Sequence, residues 1–168
     1  MDEDLSDFKL SKEAKDKLKN KKALKEELAD GKTAQEILGF SDTAMAKFYQ
    51  DAYTLFEHKR FQDAAKAFLF LATLNPHKPE YWIGLGMAAQ LNQDYESAID
   101  AYELAALNNI ASPIPYFYLA KCLFAIHDRE SALQALEIAI DTAGDIDEFS
   151  DLKRQAEEAQ KILLEHDK

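Results

Sequence analysis

The residues that carry reactive chemistry are few and scattered. His58, His77, His127 and His166 stand apart, with no Cys or carboxylate at the spacing that closes around a metal. Cys122 is the only thiol, and beside Leu123 it is expected to pack rather than to attack. A single Cys also excludes a disulfide within the chain and suits a reducing compartment. Gly84-Leu85-Gly86 is no phosphate loop, because it lies inside a helical pattern where small residues serve packing. No catalytic, metal or cofactor site is therefore expected, and the chain reads as a binding protein rather than an enzyme. The chemistry left is burial of apolar surface. The run Phe48-Tyr49-Gln50-Asp51-Ala52-Tyr53-Thr54-Leu55-Phe56 is richer in aromatics than a core requires.

The 168 residues suit one helical domain, with few Gly, and with Pro76, Pro79, Pro113 and Pro115 at joints. No apolar run approaches the roughly 20 residues that span a bilayer, so stable membrane insertion is not expected. The acidic start Met1-Asp2-Glu3-Asp4 lacks the apolar stretch of a secretory signal. The formal net charge is −11, unevenly placed: residues 1–40 hold nine Lys against ten Asp or Glu, and the remainder is strongly acidic. An acidic body repels phosphate backbones, which argues against nucleic acid as a partner. The charge is read first as solubility, and second as steering toward a basic or neutral partner.

The elements that must position the aromatics follow from a period. Shifted by 34 residues, the sequence meets itself. Trp82 falls on Phe48 and Tyr116, Gly86 on Ala52 and Ala120, Ala98 on Ala64 and Ala132, Tyr102 on Phe68 and Leu136, and Ala105 on Leu71 and Ala139. A fixed period with large and small apolar residues in fixed places marks a helical repeat. In each unit the first helix carries an aromatic and, four residues on, a small residue on the same face. The second helix approaches there and inserts its plug. One such hairpin cannot bury its own apolar face, so the units stack into a superhelix with a concave side.

This pattern resembles the tetratricopeptide repeat. The expected fold is all-α: a superhelix of three helix-turn-helix repeats over residues 41–146 (about 45–78, 79–112 and 113–144). N-terminal helices occupy 1–40 and a C-terminal capping helix 147–168. Within the arm, Leu10, Ala14, Leu18, Leu24 and Leu28 fall on one side of a thin helical stripe over 1–30. Two readings of it stay open: a frayed arm, or a helix that docks on a partner or a second copy. Thr33 to Phe40 reads as a short helix, with a capping box from Thr33 and Glu36 and an end at Gly39. Ser41 then caps the first repeat helix. Arg129 stands where Phe61 and Tyr95 offer an aromatic, so a looser last hairpin is expected. Phe149, Leu152, Ala156, Ala159 and Leu163 line one face of the final helix over 147–166, which covers the last repeat.

In a tetratricopeptide stack the first helix of each hairpin lines the concave face. Its inward positions fall one residue past the aromatic, then four and seven further on. These are Tyr49, Tyr53 and Phe56, then Ile83, Met87 and Gln90 with Leu91 beside it, then Phe117, Lys121 and Phe124. A solvated face should be polar, so this largely apolar set is expected to bind a peptide, with Tyr49, Tyr53 and Phe117 contributing most. Repeat proteins that hold acidic C-termini of large chaperones resemble one another in a clamp of Lys, Asn and Arg. The matching places here hold Tyr49, Tyr53, Ile114 and Tyr118, so that clamp is absent.

A closer resemblance lies in the Thr-x-x-x-Ile-Leu helix, the Ser-Asp-Thr cap, Phe-Tyr-x-x-Ala-Tyr and the stretch Trp82-Ile83-Gly84-Leu85-Gly86. Over about residues 30–143 these look like the class II chaperones of bacterial type III secretion. The resemblance implies a cytoplasmic bacterial protein that holds an extended segment of hydrophobic translocator proteins, anchored by spaced Pro and Leu, in the concave groove. Such binding keeps the client soluble and export-competent. The resemblance also implies a homodimer through the N-terminal helices. Two departures from the family are the Lys-rich arm and the long C-terminal helix. The alternative reading is an adaptor that joins folded proteins.

Overall fold

The computed structural model describes residues 10–165. Its helices are α1 (Lys12–Lys19), α2 (Lys21–Ala29), α3 (Ala34–Leu38), α4 (Asp42–Glu57), α5 (Phe61–Leu74), α6 (Pro79–Leu91), α7 (Tyr95–Asn108), α8 (Ile114–Ala125), α9 (Arg129–Ala143) and α10 (Ser150–Glu165). From α4 onward each helix packs on the next in the chain. First helices also meet, α4 with α6 and α8 with α10, whereas no two successive second helices make a comparable contact among the described residues. The first helices therefore lie on the tighter, inner side of the curve. This nearest-neighbour stacking is the tetratricopeptide superhelix.

The period recurs in the backbone. Lys59, Gln93 and His127, spaced 34 apart, have φ of 59°, 61° and 66°. Each closes a first helix. The N–H groups of Lys59, Gln93 and His127 donate to the carbonyls of Phe56, Gln90 and Phe124 at 2.9, 3.0 and 3.0 Å. Those of Arg60, Asp94 and Asp128 reach one residue further back, to Leu55, Ala89 and Leu123, each at 2.9 Å. This paired closure needs one left-handed residue, and none of the three is Gly. The second helices then start on Asp94 and Asp128, whose Oδ1 atoms accept from the backbone N–H of Ser97 and Ser131. In the first repeat Arg60 offers no cap and instead clasps Asp63 at 2.8 Å.

The expected packing set forms the core. Ala64, Ala98 and Ala132 are each 0% exposed, and the plugs Phe68, Tyr102 and Leu136 are 1%, 0% and 3% exposed. Close approach is most severe at α6. A Cβ on Gly86 would lie 2.6 Å from Tyr102 Cε1, the plug of its own repeat. A Cβ on Gly84 would lie 2.4 Å from Phe68 Cε1, the plug of the repeat before. One repeat later, the place of Gly84 is taken by Tyr118, and the joint is made differently: the Tyr102 and Tyr118 rings stack at 5.8 Å with an interplanar angle of 19°.

The N-terminal segment differs from expectation. The single stripe over 1–30 is broken at Asn20, which leaves helical geometry (φ −92°, ψ 80°) and accepts a hydrogen bond from the Ala23 N–H, capping α2. The break splits the stripe, so Ala14 is buried while Leu18 and Leu28 stay 40% and 48% exposed. The part of the expected helix over residues 1–9 lies outside the described residues. The arm is tied to the repeats through α3. Lys17 Nζ donates to the Ile37 carbonyl at 2.9 Å. Buried Gln35 donates to Asp42 and to the Phe40 carbonyl, and accepts from Asn75 Nδ2 at the end of α5. The capping box of Thr33 and Glu36 and the left-handed Gly39 form as read, as does the Ser41 cap.

At the other end, a 3-10 turn over Asp147–Phe149 precedes α10, so the final α-helix begins at Ser150 rather than at 147. Ala156 continues a column with Ala88 and Cys122, each 0% exposed and 34 residues apart. Thus α10 occupies the place of a fourth first helix. His166, the last of the scattered histidines, lies outside the described residues.

Candidate binding groove

Positions i, i+4 and i+7 of a helix share a face. The helices therefore set Tyr49, Tyr53 and Phe56 in one row along α4, Ile83, Met87 and Gln90 along α6, and Phe117, Lys121 and Phe124 along α8. The first row is an aromatic cluster. Ring centroids lie 5.1 Å apart for Tyr49 and Tyr53, 5.6 Å for Tyr53 and Phe68, and 5.5 Å for Phe56 and Phe61. Tyr49 also meets buried Tyr81 of α6 at 5.7 Å. Most of these contacts are edge-to-face, the arrangement the ring quadrupole favours. All three residues of the row are half-buried. Burial pushes the Tyr49 hydroxyl well above its ordinary value, helped by its hydrogen bond to Tyr53 and by Glu80 and Tyr81 nearby. The row offers neutral apolar faces over a firm base.

The middle row is shallower. Ile83 and Met87 are half-buried, and Met87 packs against the core around Tyr102 and Phe117. Gln90 is committed inward, because its Oε1 accepts from the Tyr102 hydroxyl at 2.8 Å. It completes the only polar atom of the plug and acts chiefly as a core partner. Leu91 beside it is 53% exposed.

The third row meets α10. Phe117, Lys121 and Phe124 line one pocket together with Ala120, Leu136, Gln155, Glu158, Ala159, Ile162 and Leu163, with a volume of about 400 Å³. Phe117 is only 5% exposed, so it forms the floor and belongs to the core. Phe124 and Ile162 stand on opposite rims, each 55% exposed. Lys121 Nζ lies 4.4 Å from the centre of the Phe117 ring and 5.2 Å from that of Tyr118, a cation held by aromatic faces. The wall that α10 supplies was not among the expected site residues. The signal was present, since adding the period to 117, 121 and 124 gives 151, 155 and 158. Tyr81 and Phe61, which back the first row, were also missed, because neither sits at an inward position of the repeat.

A family model of the tetratricopeptide repeat matches residues 47–77 and 79–107. The low calcium response locus protein H of Yersinia pestis is 27% identical over 130 residues, 77% of this chain and 77% of that protein. PcrH, solved in complex with the chaperone binding region of PopB, is 26% identical with a TM-score of 0.68, covering 70% of this chain and 95% of that one. The type III secretion chaperone SycD of Yersinia enterocolitica, solved with a peptide of the translocator YopD, shares the fold. Its TM-score is 0.73 at 23% identity, over 76% of this chain and 98% of that one. A nearest-neighbour stack in a 34-residue period and these likenesses give the chain a tetratricopeptide-repeat fold, similar to that of the type III secretion translocator chaperones.

Proposed function

We propose that this protein is a cytoplasmic type III secretion chaperone that holds an extended segment of a hydrophobic translocator along the inner face of its repeats. The observation that carries this reading is the face itself. Tyr49, Tyr53, Phe56, Ile83, Met87, Gln90, Phe117, Lys121 and Phe124 run along successive first helices, and all but Gln90 and Lys121 are apolar or aromatic. Residues 1–40 act as an arm, 41–146 as the repeat body and 147–168 as its cap. The chain acts by sequestration and not by catalysis. Ring faces bury a few apolar anchors of the client, which denies it the contacts that drive aggregation and membrane entry. An extended client needs no core of its own and so stays ready for export. Support comes also from PcrH and SycD, solved with a client region and a client peptide respectively. No helix among the described residues is long and apolar enough to cross a membrane.

The test is co-expression with the hydrophobic translocators of the same bacterium. The expected result is that a translocator becomes soluble and co-purifies, and that Met87→Lys with Phe124→Lys abolishes this while the helical circular dichroism is kept. Phe124, 55% exposed, is cleaner than Tyr49 or Phe117, whose rings support the core, and half-buried Met87 leans on the core only at the surface, where a lysine stem can lie along it with its charge in water. A translocator that stays insoluble with the wild-type chain, alongside capture of folded partners, overturns the reading in favour of an adaptor.

A further inference from the structure

The pocket between α8 and α10 is unlike the rest of the inner face. Between α4 and α6 the space is filled, as the Tyr49 and Tyr81 rings in contact show. Between α8 and α10 it is open: Gln155 and Ala159 of α10 and the Phe117 floor line one pocket of about 400 Å³. That volume is within the range of pockets that enclose a bound group and holds a leucine-sized side chain. The pocket is also where the inner face carries its charge. Of the nine inward positions on α4, α6 and α8 only Lys121 is charged, in a chain whose net charge is −11. Among the described residues its ammonium has rings beside it and no carboxylate at ion-pair distance. Glu158 on the opposite wall is engaged elsewhere, by Arg154 Nη1 at 3.2 Å. An apolar cup whose lip carries a cation that no carboxylate pairs among the described residues is complementary to an apolar side chain next to a carboxylate.

Resting on the function proposed above, we propose that the α8–α10 pocket is a distinct subsite. It takes one aliphatic anchor of the extended client and, through Lys121, selects a client with an acidic residue beside that anchor. Lys121 sets specificity and on-rate, and Phe124 and Ile162 close over the anchor. The charge acts at an exposed rim, so the selection is modest, about threefold to fivefold in affinity.

The experiment uses the full chain and three labelled twelve-residue peptides differing at one site: Leu-Glu, Leu-Lys and Ala-Glu. Binding is read by fluorescence anisotropy. The wild-type chain is expected to bind Leu-Glu tightest, with Leu-Lys weaker by about the factor above and Ala-Glu weaker by about tenfold. Lys121→Glu reverses the order of Leu-Glu and Leu-Lys, and Lys121→Met erases it, an outcome a purely structural lysine does not give. Ile162→Glu, on an exposed rim, weakens both leucine probes about tenfold without loss of helicity. Equal affinity for Leu-Glu and Leu-Lys, an order unchanged by Lys121→Glu, or no binding of any probe overturns the subsite. Each of these leaves the chaperone reading to translocator co-purification, which the first two rows can sustain alone.

Discussion

Single residues set the tightest constraints at the α6 face. Gly84→Ala and Gly86→Ala would drive a methyl group into Phe68 and Tyr102, rings that are 1% and 0% exposed and have nowhere to move. Overpacking of this kind costs about 1–3 kcal/mol, and each variant is expected to unfold at correspondingly lower urea. The opposite sign is expected at Lys59, Gln93 and His127, exposed residues held at positive φ. Glycine there relieves left-handed strain, offset in part by greater freedom of the unfolded chain, for a net gain of about 0.5 kcal/mol per site in the same titration. Titration adds a third case. Burial pushes the Cys122 thiol from 9.0 up to about 11, and raises Tyr49 and Tyr102 further. The folded state favours the protonated form of all three. Their contribution is complete below pH 9 and is lost as pH rises through the folded values. Urea midpoints should therefore fall from pH 9 to pH 11, and native Cys122 should resist alkylation until the chain unfolds.

At the scale of elements, the repeat hairpins were legible because each depends on many in-phase residues. The small–large pairs, the capping box at Thr33 and Glu36, and the cap at Ser41 are local signals whose structural consequence is fixed by sterics and hydrogen bonding. The break at Asn20 was less legible. It lies between lysines, with no Gly or Pro to mark it, and the leucine stripe continues on both sides. The role of α10 was half legible: its apolar face announced a cap, but a pocket wall depends on how far apart two helices settle, and side-chain volumes decide that only after folding. The account expects α10 to be integral. Ala156→Arg would bury a charge at a position 0% exposed, opposite Cys122 and Leu136. It should detach the helix, destabilise the protein by about 3 kcal/mol or more and increase dye binding to the exposed third repeat. At the other end, Gln35→Leu leaves Asn75 and the Phe40 carbonyl without their shared partner. It should loosen α3 and speed proteolysis of the arm, with little change in the hydrogen exchange of α6 to α9.

The whole molecule is a short solenoid whose inner face grades from an aromatic bed at α4 to an open cup at α8 and α10 with Lys121 at its lip. Stacking hides the plugs that hold the repeats together and turns the remaining aromatic and aliphatic groups toward one side. The same period that builds the fold thereby builds the surface proposed to hold a client. Sequence periodicity located that side, since inward positions follow from phase. It did not distinguish residues that form the floor, such as Phe117 and Gln90, from those that reach solvent, such as Phe124, because burial depends on the neighbouring repeat. The most direct test places a photo-crosslinking phenylalanine analogue at Met87 or Phe124 on the inner side, and at Leu107, 75% exposed on a second helix, as the outer control. The translocator is co-expressed and cross-linked peptides are mapped by mass spectrometry. Cross-links from Met87 and Phe124 to one short translocator segment, with none from Leu107, are the predicted result. Cross-links from Leu107 alone, or from all three to scattered segments, would contradict the account.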